Sequence, residues 1–162
     1  MSDPARGAHA PRHAVDYAAV DTEIRLVLAR TASADEAMTR AVRILEARMP
    51  DYTWVGIYRL FGNELVLGPF VGKPSPHTHI PLGRGICGAA AAEKTTIIVD
   101  DVNADPRYLA CSLETRSEIV VPIMRGCQVL GEIDVDSDRL AAFGPEDQRL
   151  LEVVAAMLSE KI

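Results

Sequence analysis

Three cysteines and one run of carboxylates are the groups in this 162-residue sequence whose types and spacing could do chemistry. Cys87 lies in Gly83-Arg84-Gly85-Ile86-Cys87-Gly88, where the glycines permit a tight turn that sets the cysteine at a helix N-terminus. Unpaired backbone N–H groups and the macrodipole there favour a thiolate over a thiol. The same letters match G-x-G-x-x-G. A dinucleotide-binding turn, however, needs a buried parallel strand just before it, and Pro81 interrupts that stretch. Cys111 falls in the loop-like run Pro106-Arg107-Tyr108-Leu109-Ala110-Cys111-Ser112, with Arg107 and Arg116 near enough in sequence to stabilise its anion. Cys127 follows Gly126 in a predicted hairpin turn and reads as incidental.

The carboxylates come from a strand over 128–136. Two-residue alternation puts Val129, Gly131, Ile133 and Val135 on one face and Glu132, Asp134 and Asp136 on the other. Such a row is either a solvated face or a site. Glu118, at the start of the neighbouring strand, can meet Asp134 or Asp136 across the hairpin, and crowded carboxylates raise one another's pKa so that one can keep a proton and act as an acid. His77 and His79 also alternate, but their spacing fits no common zinc signature, and no bound metal is expected.

These groups need elements to position them. From Asp21 the pattern is helical, and a second helix is opened by Ser33, with Glu36 as its capping-box partner, and closed by Pro50. Strand chemistry follows over 53–60 and 64–70, joined by a turn at Phe61-Gly62-Asn63, and returns over 95–99, 118–124 and 128–135. An alanine-rich helix runs over 87–93, and Gly144-Pro145-Glu146-Asp147 opens a last helix with Leu150, Leu151, Val154, Met157 and Leu158 on its buried face. Hairpin-linked neighbours imply an antiparallel sheet with helices packed on one side, an α+β fold. Residues 1–14 read as a mobile tail and 15–162 as a single domain.

Composition narrows the function classes. A net charge of −6 offers no basic patch for nucleic acid or an anionic membrane. No run approaches a membrane span, the first 13 residues lack a secretory apolar core, and an odd count of three cysteines argues against a disulfide framework. A cytoplasmic protein is expected.

Several blocks, in order, resemble the free methionine-(R)-sulfoxide reductases, single-domain members of the GAF fold. They are Trp54-Val55-Gly56-Ile57-Tyr58, Leu67-Gly68-Pro69-Phe70-Val71-Gly72-Lys73, Gly83 to Gly88, Ala110-Cys111, Ser117-Glu118-Ile119-Val120-Val121-Pro122 and Ile133-Asp134-Val135-Asp136-Ser137. The resemblance implies a GAF-type sheet with a ligand pocket on the side away from the helices. Cys111 would be the nucleophile and Cys87 a cysteine of the same pocket able to pair with it. Glu118, Asp134 and Asp136, with Trp54 and Tyr58, would line the substrate site. The implied reaction is thiol-dependent reduction of free methionine sulfoxide, with no bound cofactor, thioredoxin as reductant, and a homodimer as the assembly. The chain departs from the family pattern in one place: the further cysteine usual shortly after the Gly72-Lys73 block is absent, and Ser75-Pro76-His77 stands there. Cys87 or an external thiol would then resolve the oxidised nucleophile. The alternative is a GAF module that binds a small molecule or senses redox state without turnover.

Overall fold

A computed structural model describes residues 13–110 and 112–162. The expected tail over 1–14 therefore lies, as far as residue 12, outside the described residues, and so does Cys111.

Helix α1 spans Tyr17–Ala29 and buries Val20, Ile24 and Leu28, one residue per turn on a single stripe. It starts four residues before the expected Asp21, because the Asp16 side chain accepts the Ala19 N–H at 3.0 Å and caps it. Helix α2, Ala34–Arg48, begins at Ser33, whose hydroxyl accepts the Glu36 N–H at 3.2 Å. The Glu36 carboxylate reaches back to the Ala32 N–H at 3.3 Å, one residue beyond the partner of a standard capping box. Six antiparallel strands follow: β1 Trp54–Phe61, β2 Glu64–Val71, β3 His79–Pro81, β4 Ile97–Val99, β5 Ser117–Arg125 and β6 Gln128–Ser137, arranged in the order β3-β2-β1-β6-β5-β4. Helix α3, Gly85–Glu93, lies between β3 and β4 in the chain, and α4, Pro145–Ser159, closes it. The three-residue strand β3 is absent from the sequence reading, since it ends in Pro81 and three residues carry little pattern.

Alternation along the central strands divides the molecule into two apolar clusters. Val55, Ile57, Ile119, Val121, Ile123, Ile133 and Val135 face α1, α2 and α4 and form the larger core. Trp54, Tyr58 and Val120 face the other way, toward α3 and β3. The expected arrangement, an antiparallel sheet with helices on one side, is what α1, α2 and α4 make, while short α3 covers the pocket face. One assignment changes. Val129 joins the α3-side cluster rather than Ile133 and Val135, because β5 and β6 slip register between Ile123 and Met124. Met124 opposes Val129 and Ile123 opposes Gly131, so Leu130 is an extra residue that inverts the alternation. Among the described residues no helix is long and apolar enough to cross a membrane.

One buried carboxylate ties the helical layer together. Asp147, 2% exposed, accepts the Gly144 N–H at 2.8 Å and the hydroxyls of Tyr17 at 3.0 Å and Tyr52 at 2.9 Å, joining α1, α4 and the approach to β1. Removing it takes this acceptor from two buried donors and from the half-buried Tyr17 hydroxyl, at about 1–3 kcal/mol for each one that cannot reach water. Asp147→Ala is expected to lower unfolding free energy by about 3 kcal/mol or more in urea titration, and a loss under about 1 kcal/mol would show that the hub is dispensable.

Candidate active site

Strand register delivers the carboxylates as cross-strand rows on the α3 side. Asp136 of β6 is paired with Trp54 of β1 and Glu118 of β5; Asp134 with Gly56 and Val120; Glu132 with Tyr58 and Pro122. The sequence left open whether this row is solvated, and burial decides it: Glu118 is 5% exposed, Glu132 0%, Asp134 3% and Asp136 3%. The row is buried rather than solvated.

Helix α3 brings the thiol to them. Gly83 and Gly85 have φ of +81° and +68°, values that side chains rarely adopt, and this turn carries Cys87 into the third helical position. Its Sγ lies 3.3 Å from Asp134 Oδ2 and 3.8 Å from Glu118 Oε1. The Glu132 carboxyl also bears on the thiol, and apart from it no hydrogen-bond partner reaches either of its oxygens among the described residues.

The electrostatics reverse the expected state of Cys87. Burial, then the charges of Asp134, Glu132 and Glu118, push its thiol well above the ordinary cysteine range. The helix N-terminus is outweighed, since its partial positive charge faces loss of hydration and three carboxyls at once. Burial and the Asp134 charge hold Glu132 well above the usual carboxylate range, and burial with Asp134 and Asp138 does the same to Asp136. Asp134 is raised from 3.8 to about 6, mainly by burial, with hydrogen bonds from the Glu118 and Cys87 side chains opposing the rise. The site is therefore a store of protons beside a neutral thiol.

Two aromatic side chains shape the space above the acids. The Trp54 indole lies across Gly56, where an added Cβ would fall 2.1 Å from the ring. Trp54 stacks on Phe70 with centroids 5.8 Å apart and donates Nε1–H to the Lys73 carbonyl at 3.0 Å. The Tyr58 hydroxyl donates to the His77 carbonyl at 2.7 Å. Trp54 and Asp136, with Lys73, Ser112, Glu114 and Asp138, border a cavity of about 350 Å³. Tyr58, His77, Cys87, Leu109, Glu118 and Asp134 border a smaller inner space of about 20 Å³.

The segment between β4 and β5 roofs both spaces. Leu109 packs over Gly85, the Ala110 carbonyl accepts from His77 Nε2 at 3.1 Å, and Lys73 pairs with Glu114. Cys111 itself is outside the described residues; its neighbours Ala110 and Ser112 belong to this roof. Arg107, expected to support the Cys111 anion, is committed to Asp105 through two hydrogen bonds of 3.0 and 2.8 Å. Cys127 is exposed in the β5–β6 turn, apart from these groups. His77 and His79 do not converge: one reaches Ala110, and the other has Thr78 Oγ1 beside its Nδ1 at 3.1 Å. The sequence reading placed Glu132 in the acidic row without naming it a site residue, and it missed the wall made by Lys73, His77 and Glu114. Alternation was the signal for Glu132; the loop residues carried none.

Comparison with known proteins places this geometry. Residues 30–162 match the GAF domain family. The free methionine-R-sulfoxide reductase of Escherichia coli strain K12 is 33% identical over 144 residues, which is 89% of this chain and 87% of its own. The chain belongs to the free methionine-R-sulfoxide reductase family of GAF domains. Two solved members of that family superpose on it. The Neisseria meningitidis reductase in complex with its substrate is 36% identical, with a TM-score of 0.86 over 94% of this chain and 95% of the other. The type II enzyme of Thermoplasma acidophilum is 40% identical, with a TM-score of 0.76 over 78% and 90%. Of the residues that the family resemblance pointed to, the sheet carries Trp54, Tyr58, Glu118, Asp134 and Asp136, and α3 brings Cys87 against Glu118 and Asp134.

Two measurements test this geometry. An acid whose pKa rises on folding takes up a proton in the native state, so its destabilising effect is fully present above about pH 6 and fades as pH falls toward 3.8. Asp134→Asn should accordingly stabilise the fold by roughly 2–3 kcal/mol at pH 8 and by nearly nothing at pH 4; an equal effect at both would refute the buried charge. Trp54 is the sole tryptophan, so Gly56→Ala should displace it and red-shift the emission spectrum, and an unchanged spectrum would mean that the ring does not lie over residue 56.

Proposed function

We propose that this chain reduces free methionine (R)-sulfoxide to methionine, with Cys111 as nucleophile. The observation that carries the reading is the nest of buried, proton-holding carboxylates on the pocket face of a chain whose relatives carry that activity in their names. A sulfoxide oxygen leaves only when protonated, so a thiolate must attack sulfur while an acid delivers protons to oxygen. Burial and the Asp134 charge hold the Asp136 and Glu132 carboxyls well above the usual carboxylate range, and Asp134, raised to about 6, is placed to exchange protons with them. The substrate ammonium suits the carboxylate row, and the Trp54 ring offers an apolar wall to the methyl group.

In the proposed cycle the Cys111 thiolate attacks the sulfoxide sulfur, the protonated oxygen passes from that sulfur to the Cys111 sulfur as the S–O bond and the transient S–S bond break, and methionine leaves, reduced by two electrons, with Cys111 oxidised to a sulfenic acid. The Cys87 thiol then condenses with the sulfenic acid, releasing water and closing a disulfide. A dithiol reductant of the thioredoxin type opens that disulfide by exchange. Ser75-Pro76-His77, standing where the family pattern has a further cysteine, leaves Cys87 as the internal resolver. Its raised pKa sets the pace, because a neutral thiol resolves slowly until a general base takes its proton, and Asp134, 3.3 Å away, is in place to do so. A homodimer in the cytoplasm completes the reading. The non-catalytic binding or redox-sensing alternative draws on the same missing cysteine.

Thioredoxin-coupled NADPH consumption with each epimer of free methionine sulfoxide tests the assignment. Turnover with the R epimer is expected, with Cys111→Ser lowering it by roughly 1,000-fold or more and Asp136→Asn by about 100-fold. Cys87→Ser should retain one turnover per site and lose cycling with thioredoxin. Full activity in Cys111→Ser removes the nucleophile assignment, and no turnover by the unmodified protein with thioredoxin or any small thiol establishes the binding-module alternative.

A further inference from the structure

We infer that Cys87, Glu118 and Asp134 form a zinc site at the base of the pocket, which shuts the site when it is filled. Among the described residues these three are the one group of cation-ligating side chains whose donor atoms all lie within 4.8 Å of one another. A tetrahedral zinc ion with bonds of about 2.3 Å to sulfur and 2.0 Å to oxygen sets S···O separations at about 3.5 Å. The observed separations of 3.3 Å to Asp134 and 3.8 Å to Glu118 bracket that value, so the sulfur already stands at metal-sharing distance from both carboxylates. The inner space of about 20 Å³ meets them on one side. That is room for one small ion or water, which would take the open coordination position.

A second feature beside the three ligands points to a cation. Glu132 is completely buried, its carboxyl bears on Cys87, and apart from that thiol neither oxygen has a hydrogen-bond partner among the described residues. Four carboxyls, Glu118, Glu132, Asp134 and Asp136, share this face. Arg107, a cation from the roof, is committed to Asp105. A divalent ion supplies the charge that this arrangement lacks. The thiol selects zinc over the hard cations magnesium and calcium, which take oxygen ligands. Binding exchanges the Cys87 proton for metal: the thiol and Zn²⁺ become a zinc thiolate and a released proton, with no change of oxidation state. Glu132 acts as a positioning residue, holding charge behind the sulfur. The filled site occupies the carboxylates that the proposed substrate ammonium would meet and removes Cys87 as a resolver.

The test reads binding without sulfoxide, so its outcome is separate from that of the reductase reading. Reduced protein, freed of reductant, is titrated with Zn²⁺ in competition with a chromophoric chelator, and with Co²⁺ while the near-ultraviolet thiolate-to-metal charge-transfer absorption is followed. One ion per chain is expected, with the charge-transfer band present. Cys87→Ser should abolish the band and weaken Zn²⁺ binding by roughly 100-fold, Glu132→Gln should weaken it by about tenfold, and Cys127→Ser should leave it unchanged. Absence of the cobalt band in the unsubstituted protein overturns the site whatever the variants do. Equal Zn²⁺ affinity in folded Cys87→Ser also overturns it, as does loss of binding in Cys127→Ser.

Discussion

Carboxyl groups prefer water by several kcal/mol, and this fold withdraws four of them onto one dry face around an uncharged thiol. Much else in the structure answers to that arrangement. The acids remain tolerable because protons stay on part of the set and because Cys87 donates toward Asp134 and Glu118. Marginal stability of about 5–15 kcal/mol for a domain means that such a face has to be offset elsewhere. The offset lies on the other side of the same strands, where alternate residues of β1, β5 and β6 join α1, α2 and α4 in a continuous apolar core.

Two kinds of buried carboxylate in one molecule show how the two faces differ. Asp147 sits in the helical layer with a backbone N–H and two tyrosine hydroxyls aimed at it, and it serves as a structural acceptor. Asp134, Asp136 and Glu132 are equally buried, yet among the described residues each has at least one oxygen without a donor. Satisfied polar groups rigidify a fold, while under-satisfied ones keep capacity for a ligand, a proton or an ion. The proposed reaction and the proposed zinc site draw on that same capacity. They compete, since a proton-holding nest loses its protons to a divalent cation.

The walls are pinned from several directions at once. Trp54 and Tyr58 leave the same face of β1 on either side of Gly56, and both bond to carbonyls of the segment after β2, so strand and loop hold each other. Gly56 between them gives the indole room to lie flat. Helix α3 supplies sulfur from a turn that needs two glycines at positive φ. The glycine pattern therefore serves the placing of a cysteine and not the binding of a dinucleotide phosphate.

Local pattern carried a large part of this protein in its sequence. The helices opened by Ser33 and Gly144, the hairpins around Gly62 and Gly126 and the acidic alternation through Asp134 depend on neighbours a few residues apart, and period and capping chemistry report those directly. The family blocks likewise named Trp54, Tyr58, Cys87, Glu118, Asp134 and Asp136 from sequence alone. What the tertiary structure decided was environment. Whether the acidic row met water depended on α3 folding over it, and whether Cys87 became a thiolate depended on carboxyls 31 and 47 residues away in the chain. The slip at Leu130, the pairing of β3 with β2 and the roof formed by Leu109, His77 and Glu114 leave no periodic trace. Desolvation and charge coupling are properties of a packed interior, and a chain read residue by residue has no interior until it folds.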